Sequence, residues 1–483
     1  MTLNVLPHWT DGNEALQNAI AEFKDDRFLN GEVHASAPAS WASPAPLPVF
    51  TAVPFFGFAD TSEFAAIIDD FARVSVHSLA GAGSTSTRPL RLLAMPIIGS
   101  GGGGGADVIG DLLRVVLSAT EEAAERHGAD IVVVVRDAAQ MGLAQRIRRD
   151  RGHSPWRELS SEVKAAGQKL ANDCIAGNVV PFLGAGISIS AGAPSWNDLV
   201  AELSRTVADR LTEAEAARLE KKNVLDQAEI LKNLFDSPDE FNAAVAKLVN
   251  RRAYGLAPSL IANLPLDQAI TLNYDELFEI ASEDAGYQCA VIPGAEVPNA
   301  SRWLLKMHGN IADDSTIVLT RSDYLGFDAN RNVLAALVKA SLVTKRLVFI
   351  GFGLGDDHFH QILHDVREIS PQNIARRAMA LTLNEDSLEQ KAWKNKITLL
   401  PMTPHGTTIA TAGRVLEIFL DYVLMLATDS REYLMDPAFE SQLTAPERRL
   451  KALVTELHQL QSSESDPSID AAITAIRGFG EHR

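Results

Sequence analysis

The segment NVVPFLGAGISISAGAPSW, residues 178–196, constrains this chain more than any other. Val179 through Leu183 run without a charge into Gly184-Ala185-Gly186, and serines, alanines and a further glycine follow. An unbroken apolar run of that length suits a strand buried on both faces, the habit of parallel sheets covered by helices. Glycines at its end let the backbone turn sharply and approach a pyrophosphate, whose charge is met by backbone N–H groups and a helix terminus. Alone, such a turn equally describes a tight strand–helix connection. The runs in QAITLNYD, STIVLT, KRLVFIGFG and RAMALTLN are each followed by helical sequence, which predicts a doubly wound α/β sheet.

An earlier α/β series precedes this one. PVFTAVPFFGF, RLLAMPIIGS and ADIVVVVRD read as strands, and DVIGDLLRVVLSATEEAAERHG between the last two has helical spacing and ends in Gly128, a C-cap residue. The basic segment RIRRDRGHSPW, residues 146–156, marks a boundary. We therefore expect an amino-terminal domain over 1–157, a second over 160–425 and a helical tail over 426–483, where Leu443, Leu450, Leu453, Leu457 and Leu460 form an amphipathic seam.

Composition narrows the function. Charged residues make up 22% and the formal net charge is −18, with no long run of lysine or arginine, which argues against a nucleic-acid surface. Only two cysteines are present, Cys174 and Cys289, so neither a disulfide framework nor a four-cysteine zinc ribbon is expected, and no metal. The first residues lack a basic start and an apolar core, and no apolar run reaches the ~18 residues of a membrane span, so a cytoplasmic protein is expected.

The motifs now add up. Gly184-Ala185-Gly186-Ile187-Ser188 through Gly192-Ala193-Pro194 resembles the opening motif of the sirtuin (SIR2) family, with Ser195, Trp196 and Asn197 where the family has Asp, Phe and Arg. AITLNYD, residues 269–275, keeps Thr271, Asn273 and Asp275 at the spacing of the family's second motif, with Leu272 and Tyr274 replacing Gln and Ile. His308-Gly309 in LLKMHGN matches the catalytic His-Gly pair, Gly351 and Gly353 the later glycine turn, and Asn384 a strand-end Asn. The resemblance implies a Rossmann-like NAD-binding domain. It implies pyrophosphate and ribose contacts from Gly184, Ala185, Gly186, Ser188, Gly351 and Gly353, nicotinamide held by Asp275, adenosine ribose at Asn384, and catalysis by Asn273 and His308. Without the motif order, an Asn or Asp after a strand would simply cap a helix, and a lone His would be structural.

Sirtuin deacylases insert a zinc ribbon between the His-Gly pair and the later glycines. Here no cysteine falls between His308 and Gly351, and STIVLTRSDYLGF fills the interval, a form similar to the SIR2-like branch of bacterial antiphage defence of the Thoeris-effector type. That resemblance implies an NAD hydrolase releasing nicotinamide and ADP-ribose, acting as a homo-oligomer. A protein deacylase or ADP-ribosyltransferase, and a non-catalytic NAD or ADP-ribose binding module, are the alternatives. In the amino-terminal domain Gly99-Ser100-Gly101 and Gly102–Gly105 stand between a strand and a helix, like the phosphate loop of macro domains or of a SLOG-type fold. A regulatory ADP-ribose-type ligand is expected at Gly99, Ser100, Gly101 and Gly103, or else a plain glycine connection.

Overall fold

The computed structural model describes residues 2–4, 34–37, 46–52, 58, 60–81, 88–100, 105–152, 156–294, 300–369, 378–463 and 466–469. The chain divides into two compact units, Met1–Glu158 with Thr428–Arg483, and Leu159–Ala427.

In the first unit β1 (Thr2–Asn4), β2 (Arg91–Pro96) and β3 (Ala129–Val135) form a parallel sheet in the order β1-β3-β2. Helices α1 (Phe64–Gly81), α2 (Ile109–His127) and α3 (Ala138–Asp150) accompany it. α2 ends at Gly128, whose φ of +64° and N–H bond to the Ala124 carbonyl are those of a left-handed C-cap. In PVFTAVPFFGF, Phe50–Thr51 is strand, paired antiparallel to Ala35–Ser36, and residues 53–57 lie outside the described residues. Pro48 and Pro54 flank it, and proline cannot donate to a ladder.

Part of the tail belongs to this unit's core. Tyr433, Leu434, Phe439 and Leu443 are buried in one cluster with Phe64, Leu112 and Val133. Gly142 makes room for the Ser430 carbonyl, which a Cβ would meet at 2.6 Å, and Arg146 donates to the Gln442 carbonyl at 2.7 Å. Along the final helix Ala445–Ser463, Leu450 and Val454 turn inward while Leu453 and Leu460 are exposed, a narrower seam than the leucine spacing predicts. Phe439→Ala should therefore cost about 3–5 kcal/mol of the first unit's stability, measured by denaturant unfolding; a loss under 1 kcal/mol would show that the tail is merely draped on the surface.

The second unit is a seven-stranded, wholly parallel sheet. Its strands are β4 (Val179–Leu183), β5 (Gln268–Thr271), β6 (Cys289–Ile292), β7 (Arg302–Lys306), β8 (Arg346–Ile350), β9 (Ala378–Asn384) and β10 (Thr398–Thr403). They lie in the order β10-β9-β8-β4-β5-β7-β6. All five residues of β4 are buried, as a strand covered on both faces requires. Helices α4 (Ser161–Ile175) and α9 (Ile409–Ala427) pack together, and Gly167 allows it, since a Cβ there would meet Tyr422 at 2.9 Å. Helices α7 (Arg321–Thr344) and α8 (Asp357–Ile369) supply Val338 and Phe359 to the core that holds Phe182 and Phe349 of the sheet.

Two shorter elements flank the sheet's carboxyl edge. α5 (Trp196–Thr206) joins helices Val224–Lys232 and Pro238–Val249 in a separate apolar cluster around Leu203, Leu231 and Phe241, while α6 (Leu277–Asp284) follows β5. STIVLT, expected as a strand, pairs with none. Ile317 and Leu319 are buried in that cluster instead, and Thr320 caps α7. From β4 the chain goes to β5 on one side and returns only later as β8 on the other. A crevice opens at such a reversal, at the carboxyl ends of β4, β5 and β8.

Candidate functional site

The loops after β4 and β8 cross each other, and glycine is what permits it. Gly184 N–H donates to the Ile350 carbonyl at 3.0 Å and Gly186 N–H to the Gly351 carbonyl at 2.9 Å. A Cβ on Gly184 would lie 2.5 Å from the Gly351 oxygen, one on Gly186 2.7 Å from Gly351 Cα, and one on Gly351 2.6 Å from Ile187 N. Gly351 also has φ +64°, a backbone that L side chains rarely adopt. These three glycines are thus required by the mutual approach of two loops. A Cβ on Gly353 would meet nothing within 4 Å.

The loop after β5 is held as firmly. Asn273 donates through Nδ2 to the Gly184 carbonyl at 3.1 Å and to Ser188 Oγ at 3.3 Å, and its backbone N–H bonds Thr271 Oγ1 at 3.0 Å. Both side-chain bonds use the amide nitrogen. Asp275 Oδ1 accepts the Leu277 N–H at 3.1 Å. Burial raises the Asp275 carboxyl above its ordinary range, against the lowering effect of its hydrogen bonds and of Lys306. Beneath the loop, the buried Lys306 ammonium donates to the carbonyls of Tyr274 at 3.2 Å and Asp275 at 2.6 Å and pairs with Glu279 at 2.5 Å. A buried cation with a carboxylate and several acceptors is a rigid brace.

His308 lies in the turn after β7, wholly buried. Gly309, at φ +100°, explains the His-Gly pair: a Cβ there would fall 2.2 Å from the Thr316 carbonyl oxygen. The Val318 N–H bonds the His308 carbonyl at 2.9 Å, and Arg331 donates to the Met307 carbonyl at 2.7 Å. The imidazole is surrounded edge-on by Trp196, Tyr324, Phe327 and His358. Burial pushes its pKa down to about 4, with the charges of His358 and Arg331 acting the same way and Asp356 opposing. At neutral pH it is an uncharged base.

Gly184, Ala185, Ser188, Asn273, Asp275, Gly351 and Gly353 line one cavity of about 400 Å³, within the roughly 300–1,000 Å³ of ligand sites. Gly186 is not on its wall and lies in the loop crossing. His308 is not on the wall; Trp196 and Tyr324 both line the cavity and touch the imidazole. Asn384 is elsewhere: its Nδ2 donates to the Thr407 carbonyl at 2.7 Å and its Oδ1 accepts from Thr403 Oγ1 at 2.6 Å, beside a small separate pocket. In the amino-terminal unit, Gly99 at φ +85° packs under Phe64, and Ser100 Oγ donates to the Ile97 carbonyl at 2.7 Å. Gly101 and Gly103 lie outside the described residues.

Sequence reasoning missed Asp356 and His358. Both follow the second glycine turn in GFGLGDDHF, and a paired acid and histidine there were the available signal. With His308 they bring three ligand-type atoms within 4.8 Å of one another. No helix among the described residues is long and apolar enough to cross a membrane.

Residues 267–400, which carry Asn273, Asp275, His308 and both later glycines, match a family model described as a SIR2-like domain. The chain is 29% identical over 246 residues to NAD(+) hydrolase ThsA of Enterococcus faecium, covering 46% of this chain and 48% of that protein. It is 30% identical over 227 residues to Defense-associated sirtuin 2 of Bacillus subtilis, covering 44% and 21%, and 27% identical over 201 residues to NAD(+) hydrolase ThsA of Bacillus cereus (strain MSX-D12), covering 39% and 40%. The chain thus spans less than half the length of each of these relatives.

Proposed function

We propose that the SIR2-like domain hydrolyses NAD to nicotinamide and ADP-ribose. The observation that carries this reading is the convergence of the GAGIS, TLNYD and GFG residues on one cavity at the sheet's switch point. The nicotinamide of NAD is already a cationic leaving group, so its departure needs no acid; it needs support for an oxocarbenium-like ribose and a placed nucleophile. The braced Asn273 offers Oδ1 to a water or a ribose hydroxyl. Asp275, whose carboxyl is biased toward its protonated form, suits the nicotinamide carboxamide. As water bonds the anomeric carbon and the carbon–nitrogen bond breaks, the electron pair leaves with nicotinamide and a water proton passes to His308. For His308 to meet the substrate, Trp196 or Tyr324 must shift. Assaying nicotinamide release with and without an acetyl-lysine peptide tests the reading against a deacylase: turnover of NAD alone supports hydrolysis, and strict dependence on the peptide overturns it.

The depressed imidazole pKa gives a signed prediction. Between about pH 4 and the ordinary value of about 6.5 the unfolded chain binds a proton that the folded site refuses, so the site's stability is full above 6.5 and is lost as pH falls toward 4. Because the base stays unprotonated, kcat/KM should hold through pH 6.5 and fall only below about 5. A decline centred on 6.5 would mean that His308 titrates as a solvated histidine.

The names of the relatives, an NAD(+) hydrolase and a defense-associated sirtuin, favour a setting in defence, where NAD loss would halt an infected cell. An unrestrained NADase would harm its host, and we assign control to the amino-terminal unit, read as a macro- or SLOG-like sensor of an ADP-ribose-type signal at Gly99–Gly105, with assembly into a homo-oligomer amplifying the response. Bulky substitution at Gly101 or Gly103 should then abolish activation by ADP-ribose or its cyclic isomers while sparing the fold. Wild-type activation in such a variant would place the sensor elsewhere.

A further inference from the structure

The hydrogen bonds around His308 have a direction that can be read from one end. His358 Nε2 lies 3.0 Å from the backbone carbonyl oxygen of Tyr324, an atom that only accepts, so that nitrogen carries a hydrogen. In neutral His358, Nδ1 is then a bare acceptor. It lies 3.2 Å from His308 Nε2, which must therefore donate. His308 is left with its lone pair on Nδ1, and that atom is buried with no hydrogen-bond partner.

Two features make the arrangement rigid. The His358 ring is stacked between Tyr324, at a centroid distance of 4.3 Å, and Phe327, at 3.9 Å. Asp356 is committed to others: Oδ2 accepts from the Tyr324 hydroxyl at 2.7 Å and Oδ1 from the Phe359 N–H at 3.0 Å. It stands 3.9 Å from His308 Nε2, too far for a hydrogen bond but near enough to favour an imidazolium there.

We propose that His358 is a positioning residue that fixes His308 as the Nε2–H tautomer, so that Nδ1 is the atom that takes the proton when NAD is cleaved. This rests on His308 being the base of the proposed hydrolysis. The water proton moves to Nδ1 as the water oxygen bonds the anomeric carbon and nicotinamide departs with the electron pair. The imidazolium so formed donates to His358 through Nε2 and returns its proton to solvent once products leave. In the other tautomer an N–H would face the water, and loss of tautomer control costs up to about 10⁴-fold in other hydrolases.

The test uses the full chain with two readouts. His358→Phe preserves the aromatic stack and deletes the acceptor; kcat should fall about 10²-fold or more with KM for NAD little changed. His358→Asn, whose Oδ1 can replace Nδ1, should turn over at least about tenfold faster than the Phe variant. Independently of activity, two-bond ¹⁵N–¹H correlations of the His308 ring, assigned with His308→Gln, should show hydrogen on Nε2 in the wild type at neutral pH and lose that pattern in His358→Phe. Hydrogen on Nδ1 in the wild type overturns the proposal, as does wild-type kcat in His358→Phe. If that variant does not fold, the wild-type tautomer decides. Wild-type turnover by His308→Ala would instead defeat the functional reading, while the spectrum still reports whether the hydrogen-bond chain is as described.

Discussion

Replacing either His308 or Asn273 by alanine is expected to cut NAD cleavage by roughly 10²–10⁴-fold while leaving the secondary structure intact, since loss of one positioned base or ribose contact commonly costs that much. The two losses should differ in kind. His308 is not itself on the cavity wall in the resting arrangement, so its removal should lower kcat and leave NAD binding nearly unchanged. Asn273 ties its own loop to the loop after β4 through Gly184 and Ser188, and its variant should weaken binding as well as turnover. Asn273→Asp is sharper still: an oxygen replaces Nδ2, so an acceptor faces the Gly184 carbonyl from 3.1 Å. Rates measured by nicotinamide release, alongside circular dichroism, check this. Folded variants at near-wild-type rates would show that the motif residues do not carry the chemistry.

Gly351→Ala and Gly309→Ala should each cost about 3 kcal/mol or more, because strain at positive φ adds to overlap with backbone atoms that cannot rotate away. The added Cβ would stand 2.6 Å from Ile187 N in the first case and 2.2 Å from the Thr316 oxygen in the second. Gly353→Ala is the control in the same loop: nothing lies within 4 Å of the added carbon, and its stability should stay within about 0.5 kcal/mol of wild type. Denaturant unfolding of the three variants gives the comparison. Equal stability across them would mean that the loop crossing yields easily.

These glycines also show where the sequence was legible and where it was not. A strand running into Gly-Ala-Gly is visible in one dimension, but it suggested room for a phosphate; the close partner of Gly184, Gly186 and Gly351 is the backbone of a loop some 165 residues away, at a distance only tertiary structure sets. The buried strands β4, β5, β8 and β9 announced themselves as apolar runs. STIVLT did too, and misled, because a short β-rich run does not reveal whether its apolar side chains will join a sheet or fill a helical cluster. Asn273, Asp275 and Ser188 could be nominated from motif spacing, whereas Lys306, Asp356 and His358 act through contacts that spacing does not encode. Asn384 is a different case: at a strand end its amide bonds Thr403 and Thr407 beside a separate pocket, a placement that motif spacing does not encode.

The central claim, that the SIR2-like domain cleaves NAD with water, is tested most directly by incubating the purified full chain with NAD and resolving the products chromatographically, with and without ADP-ribose and its cyclic isomers. Nicotinamide and ADP-ribose are expected in a one-to-one ratio, absent in His308→Ala. Intact NAD under every one of these conditions, with NAD still bound by the protein, would contradict it and leave a binding module in its place.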